Sequence, residues 1–552
     1  MAQEARTGQL ERRRPDVRLV PAAAATWAAA AISAALPGSM AGPALLGGAV
    51  MFFAALGAAA AVRRRRALSA AAPTALFAAA CVLAVLLSVA LRGWSAGASP
   101  LAQAVAQGRD LVLTLEVGSA PRTLSAGHGQ GQVAFDGRIV WATANGRAMT
   151  GSVAIRVIAG AEWAVLRRGE TATTAGNVQA SPAGGSPAGV LRPTTVPQNI
   201  VPATGAGSRA VATVRSSWTS SVEAVWAGRS HDVAGLLPGM VMGQRDGLDP
   251  TLEDAMKTVG LTHLTAVSGA NCSLVLASLL LLLRSLRAPR VLALAGSLAG
   301  LLGFVLVVGP DPSVLRAAVM GAIGALAVVG GRPRRVGALL SASIVVLLLA
   351  DPWLAADYAF ILSVLATLGI HLVGRRCATW LAALLPLWLA QAVAIPLAAQ
   401  LFCAPVIVLL QARFTPYTIP ANMLAAPVVA LVTTVGTLGM AIAAVAPPLA
   451  GLCAAASGAG SWWVAVVARN MANLPGASMP WPGGAPGVVL MALLNASVLT
   501  ALAAIVERER AAAAAAWLLS RVPARWRRHG FGLAVLIAAA VAAWWTSAVL
   551  RM

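Results

Sequence analysis

The chain has little charge, a single lysine and few residues able to bind a metal. Of its 552 residues 11% are charged and 58% are hydrophobic, and mean hydropathy is +0.77. A soluble protein of this length has no use for that composition. Many apolar runs approach the ~20 residues a spanning helix requires. The fold class expected is a polytopic α-helical membrane protein with a small extracytoplasmic β domain. Lys257 is the only lysine, so arginine carries the basic side of a net charge of +22. Basic loops held on the cytoplasmic side account for such a balance. A polyanionic substrate such as nucleic acid would also account for it, although charge alone favours the former.

Scarce histidine and cysteine narrow the chemistry. His128, His231, His263, His371 and His529 never fall at metal-motif spacing. Cys81, Cys272, Cys377, Cys403 and Cys453 lie in or beside apolar runs and form neither a disulfide framework nor a zinc pattern. No metal and no cofactor is expected. Lys257-Thr258 cannot end a P-loop, because Met256 stands where glycine is required. Gly93-Trp94-Ser95-Ala96-Gly97 has the spacing of a nucleophile elbow but follows an apolar helix and lacks a nearby acid or histidine. No catalytic residue is assigned, and the chain is not expected to be an enzyme.

What is present is long apolar runs punctuated by arginine. Arg6, Arg12, Arg13, Arg14 and Arg18 precede the first run, as in a signal peptide. Further runs follow at once, with arginines at 63–66 between them, so a retained first helix is expected. N-terminal membrane helices are expected within 1–91, over 20–36, 42–62 and 70–91. Basic loops on the inside place residue 92 outside.

Between 92 and 180 the pattern changes. Leu111, Leu113, Leu115 and Val117 share one parity, as do Val133, Phe135, Ile139 and Trp141, and Val153, Ile155 and Val157. Period two over short runs predicts half-buried strands, hence the outward β domain. Phe135 and Trp141 share the core parity and are expected inside rather than as stacking platforms, whereas Trp163 has no assignment. Arg138, Arg147, Arg156, Arg167 and Arg168 offer the domain a basic surface. Residues 181–207, rich in Pro, Gly, Ser and Thr, read as a loose linker, and 181–262 as linker plus interfacial amphipathic helices.

A helical membrane domain is expected over 263–552, with helices at 264–283, 291–308, 313–331, 336–350, 354–373, 378–411, 419–446, 449–472, 487–506 and 531–550. Holding every basic cluster inside requires 378–411 to cross once, as a broken or re-entrant segment. Pro386, Pro396 and Pro405 would interrupt its helical ladder. The last helix then ends outside.

Polar residues stand out against this background. GLTHLTAVSGAN at 260–271 opens an apolar stretch yet carries Thr262, His263, Thr265, Ser268, Gly269 and Asn271. Such groups survive at membrane depth mostly where they face a bundle interior or a water-filled path. Arg316 lies one turn into an apolar helix behind Asp311, and a central arginine costs roughly 2.5–3.5 kcal/mol. It either snorkels or pairs with Asp311, or it lines a path for phosphates. Asp351 suits a helix cap, and Asp357 reads equally as a cap or a path residue. Gln391, Gln400, Gln411 and Asn422, among prolines, fit either a cavity lining or simple helix-to-helix bonding.

In order and spacing these segments resemble the ComEC family of bacterial DNA-internalisation proteins. GMVMGQRDGL at 239–248 and GLTHLTAVSGAN resemble the family's approach segment and its Gly-x-x-His and Ser-Gly elements. GPDPSVLRAAVMG at 309–321 is similar to its Pro-Ser-x-x-Arg-Ala helix. DPWLAADYAFILSVLATLGI at 351–370, AAQLFCAPVIV at 398–408 and PANMLAAPVV at 420–429 resemble its later blocks. The resemblance implies an outward OB-like domain followed by a channel domain. It implies transport of single-stranded DNA across the cytoplasmic membrane during natural transformation. Many relatives carry a C-terminal metallo-β-lactamase-like domain. No His-x-His-x-Asp-His motif occurs here, so the form without that domain, and without its nuclease activity, is expected. Ala270-Asn271 replaces the Leu-His of many relatives.

The expected DNA path comprises Thr262, His263, Ser268, Gly269, Asn271, Asp311, Arg316, Asp357, Gln400 and Asn422. The five arginines named in the β domain hold incoming DNA. Expected partners are single-stranded DNA, membrane lipid, and a separate DNA receptor, nuclease and cytoplasmic motor, the sequence showing no ATP site. The oligomeric state is left open. A secondary transporter or exporter of a small or lipid-linked solute is the rival reading. A hydrolase using His263 or Ser268 would need a base and an orienting group near Ser268 that the sequence does not supply.

Overall fold

The computed structural model describes residues 18–35, 47–50, 72–119, 121–123, 131–144, 146–180, 188–202, 205–245, 247–331 and 335–509. The basic N-terminus before Arg18, the arginines at 63–66, most of the helix expected at 42–62, and the helix expected at 531–550 lie outside these residues. Two compact units emerge. One comprises 1–248, 264–361 and 432–458, and the other 249–263, 362–431 and 459–552.

The first unit contains the β domain. The short helix Pro100–Ala106 leads into it, capped by Ser99, whose hydroxyl accepts from Ala102 N at 3.4 Å. The strands are β1 (Asp110–Val117), β2 (Arg122–Thr123), β3 (Gln132–Ala144), β4 (Arg147–Gly160), β5 (Thr171–Ala180), β6 (Gly189–Pro193) and β7 (Gln198–Val201). β1 pairs with both β3 and β5, β3 with β4, β4 with β6, and β6 with β5. Five strands therefore close into a ring, in which only the β4–β6 pair is parallel. Leu111, Leu113, Leu115, Val117, Val133, Phe135, Ile139, Val153, Ile155 and Val157 fill its interior, as the parity predicts.

Two expectations for this region change. Residues 181–207 are not all linker, since β6 and β7 belong to the sheet and Leu191 is fully buried in its core. Strands this short, set among proline and glycine, leave too few alternations to register as a period. Trp141 is not core. The β3–β4 register shifts between Ile139 and Trp141, so Ala142 takes the inward place and Trp141 is half-buried. A bulge reverses parity downstream of itself. Trp163, on the turn Ala161–Val165, is the buried ring instead, stacked on Phe135 with centroids 6.0 Å apart.

The stretch after the sheet was expected to be interfacial. Helix Ala206–Trp226 has exposed stretches, but His231–Met242 is buried from Gly235 to Met242. Gly235 brings it so close to the next segment that a Cβ there would meet the Gly247 carbonyl. Small residues replace the polar face an interfacial helix would need.

Among the described residues eight helices are long and apolar enough to cross a membrane: Pro73–Trp94, Arg290–Val308, Pro312–Val329, Tyr358–Ala382, Leu387–Leu410, Thr418–Ile442, Pro447–Ala472 and Gly484–Val506. The protein is thus a multi-pass helical membrane protein with a small β domain. The segment 378–411 is not one broken crossing. Its start completes Tyr358–Ala382, through the π-helical turn Ile370–Gly374, and the break falls before Leu387. Pro396 and Pro405 lie inside one continuous helix of 24 residues. A proline removes one ladder bond, and neighbouring groups re-satisfy a membrane helix.

Candidate functional site

In the first unit, four of the expected path residues come together around the start of helix Gly269–Ser285. Gly243, at φ +74°, ends helix His231–Met242 and turns the chain. Arg245 Nε then donates to Thr265 O at 3.1 Å. Ser268 sits at the N-cap position in extended geometry, but its side chain makes no capping bond. Its hydroxyl donates instead to Asn271 Oδ1 at 3.1 Å. Asn271 is 2% exposed, and its Nδ2 has no hydrogen-bond partner.

Helix Pro312–Val329 packs across this turn. Ser313 Oγ donates to Val267 O at 3.5 Å, and Cys272 Sγ reaches Val314 O at 3.8 Å. A Cβ on Gly269 would lie 3.0 Å from Ala317 Cβ and 3.8 Å from Arg316 Nη2, so glycine permits the approach. Arg316 is buried, with Nη1 donating to Met320 Sδ at 2.9 Å. It therefore points into the protein rather than snorkelling. Asp311 is half-buried at the N-cap position of the same helix. Gly309, at φ +115°, lies against the Arg168 guanidinium of the β domain.

Asp357 lies elsewhere in this unit as a helix cap, accepting from Phe360 N at 2.9 Å. Asp351 does the same for Trp353 N at 3.2 Å, and the Arg92 guanidinium sits 5.6 Å from the centre of the Trp353 ring.

In the second unit, Thr262 and His263 start a short 3-10 turn, and His263 Nδ1 lies 3.2 Å from Gly260 O. Gly260, at φ +71°, abuts Thr418: a Cβ would come 2.7 Å from its Oγ1. Thr418 Oγ1 lies 2.8 Å from Thr415 Oγ1, and Thr418 O accepts from Asn422 Nδ2 at 2.8 Å. Asn422 thus bonds within its own helix. Gln400 is half-buried on Leu387–Leu410. Sequence reasoning missed Thr415 and Thr418, which stand just before the PAN segment, and Met320, which carries no polar signal.

It also missed an ion pair. Asp249 caps helix Pro250–Thr258, accepting from Thr251 N at 3.3 Å, and bonds Arg469 Nη2 at 2.5 Å. The Thr251 hydroxyl first, and then the Arg469 guanidinium, hold the Asp249 carboxyl down at about 2. Both favour the charged form.

In the β domain Arg138, Arg147, Arg156 and Arg167 are exposed and Arg168 is half-buried. Arg156 Nε binds Asp136 Oδ1 at 2.9 Å, and Arg138 stands opposite Glu116 across the β1–β3 ladder. Among the described residues no group of three or more His, Cys, Asp or Glu could hold a metal ion.

Residues 240–508 match the sequence profile of the family described as Competence protein. That segment, just under half of the chain, is similar to the competence protein family. No curated protein and no solved structure matches the chain. The competence segment begins inside helix His231–Met242 and takes in both polar clusters described above. The β domain precedes it. The match supports a general role in competence, the uptake of DNA.

Proposed function

We propose that this protein passes single-stranded DNA across the cytoplasmic membrane during natural transformation. The observation that carries the reading is the cluster of Ser268, Gly269, Asn271 and Arg316. It lies inside the competence segment of a multi-pass membrane protein. A buried arginine beside an uncapped helix start suits a backbone of repeated phosphates. The five-stranded ring supports an OB-like assignment for the β domain, a fold that tracks single strands on basic grooves. Contact between Arg168 and Gly309 supports a handover from that domain to the helix bearing Arg316. A separate receptor, nuclease and motor complete the route, the pull coming from that motor or from an ion gradient.

The test is entry of radiolabelled DNA into a DNase-resistant cytoplasmic pool, in a transformable host deleted for the gene. Deletion should leave DNA bound outside and none inside, and the wild-type gene should restore entry. Arg316→Ala should leave DNA bound outside, as deletion does, and should not restore entry. Undiminished entry without the gene would refute the transport role.

A further inference from the structure

We propose that the first turn of helix Gly269–Ser285, with Asn271 and Arg316, is a seat for one phosphodiester group. For the source of that group the inference rests on the DNA reading above. For its chemistry it rests on geometry.

Three features converge. The helix start has no side-chain cap, because the Ser268 hydroxyl is turned to Asn271 Oδ1. The Asn271 N–H is taken by Ser268 O at 3.1 Å, and the N–H groups of Gly269 and Ala270 are left without a side-chain cap at an end where the helix dipole favours an anion. Asn271 supplies the independent sign of a ligand. Its carboxamide is folded over this turn, since Oδ1 is 3.1 Å from the hydroxyl of the N-cap residue. Nδ2, on the same carbon, is buried without an acceptor. A buried donor left unmade costs about 1–3 kcal/mol, and an acceptor arriving with a ligand would recover it. Arg316 is the third feature, its Nη2 turned to Gly269 while Nη1 is held by Met320 Sδ.

Helix amides, a carboxamide N–H and a guanidinium are all donors, and the one side-chain amide acceptor already receives Ser268. Such a set fits an oxyanion and rejects a cation. A phosphodiester offers two oxygens that share one negative charge, and both a DNA backbone and an anionic glycerophospholipid headgroup present it without the cation that neutralises it in phosphatidylcholine.

The test uses the full chain in phosphatidylcholine nanodiscs and the dinucleotide TpT, which has one phosphodiester. Its uncharged methylphosphonate analogue serves as control. TpT should bind saturably, compete with inorganic phosphate and outcompete the analogue. Asn271→Leu, which replaces the lone donor by an apolar group of similar size, should weaken TpT about 10- to 100-fold without lowering the unfolding temperature. Arg316→Gln should weaken it too. Repeating the titration in discs containing phosphatidylglycerol separates the sources. Unchanged affinity assigns the seat to DNA, and loss of TpT binding assigns it to lipid.

Equal binding of TpT and the analogue by the wild type would overturn the seat whatever the variants do. Unchanged affinity in a folded Asn271→Leu protein would do the same. Failure of TpT binding in a protein whose gene is required for DNA entry rejects the seat alone. TpT binding with gene-independent entry rejects the DNA reading alone.

Discussion

At the scale of single residues, two positions show how sterics and charge fix the polar run. Gly260 is held at φ +71° with the Thr418 side chain against it. An alanine there faces both a left-handed backbone and a contact of 2.7 Å. Gly260→Ala should cost roughly 1–3 kcal/mol, read as a lower unfolding temperature in nanodiscs. Thr418→Ala should recover the part due to crowding but not the part due to φ. Full recovery in the double variant would mean the backbone strain is absent. Asp249 gives a pH dependence. Its carboxyl titrates at about 2, below the ordinary 3.8, so its charge stabilises the fold above the ordinary value. That contribution is lost as pH falls through about 2. Asp249→Asn should therefore be less stable than wild type at pH 7, and the two should converge on acidification. A gap between them that persists at pH 2 would exclude the ion pair as its cause.

At the scale of elements, close approach through glycine decides what can pack. A Cβ on Gly235 would meet the Gly247 carbonyl and come within 2.9 Å of Leu248 Cα. These are backbone atoms, which cannot rotate away. Gly235→Ala should thus destabilise by roughly 1–3 kcal/mol. Gly228→Ala, where nothing lies within 4 Å, should stay within about 0.5 kcal/mol of wild type. Thermal unfolding of both variants checks this, and equal losses would show that helix His231–Met242 does not pack as described. The same elements explain what the sequence made legible. β1, β3 and β4 were readable because each keeps one face in the ring, so hydrophobic identity alternates. The reading failed at Trp141, where one extra residue reverses parity, and at β6 and β7, which are too short to carry a period. His231–Met242 was misread because glycine counts as neither polar nor strongly apolar, although here it is what permits burial. Ser268, Asn271 and Arg316 were legible as polar exceptions in apolar sequence. Met320 was not, because a thioether beside an arginine looks like any core methionine.

At the scale of the molecule, the β domain and the competence segment imply different kinds of contact with one ligand. If DNA is that ligand, exposed arginines on a closed sheet would neutralise its phosphates in solvent, where salt competes directly. The buried Arg316 cluster has fewer donors, and it is screened less. Removing surface arginines should therefore change the salt dependence of binding, whereas removing Arg316 should change entry. Arg138, Arg147 and Arg167 are the suitable set. All three are exposed, unlike Arg168 at Gly309, and none is the Arg156 paired with Asp136. Each phosphate neutralised on a single strand contributes about 0.7 to the slope of log affinity against log salt. Replacing all three arginines by glutamine should flatten the slope by about 2, measured with fluorescent oligo-dT on the full chain in phosphatidylcholine nanodiscs. Oligo-dC should behave alike, because backbone contacts do not read bases. An unchanged slope would remove the β domain from DNA capture and leave that step to a partner receptor. A flattened slope with normal entry at low salt would make the domain a collector, with selection of the strand left to the helices behind it.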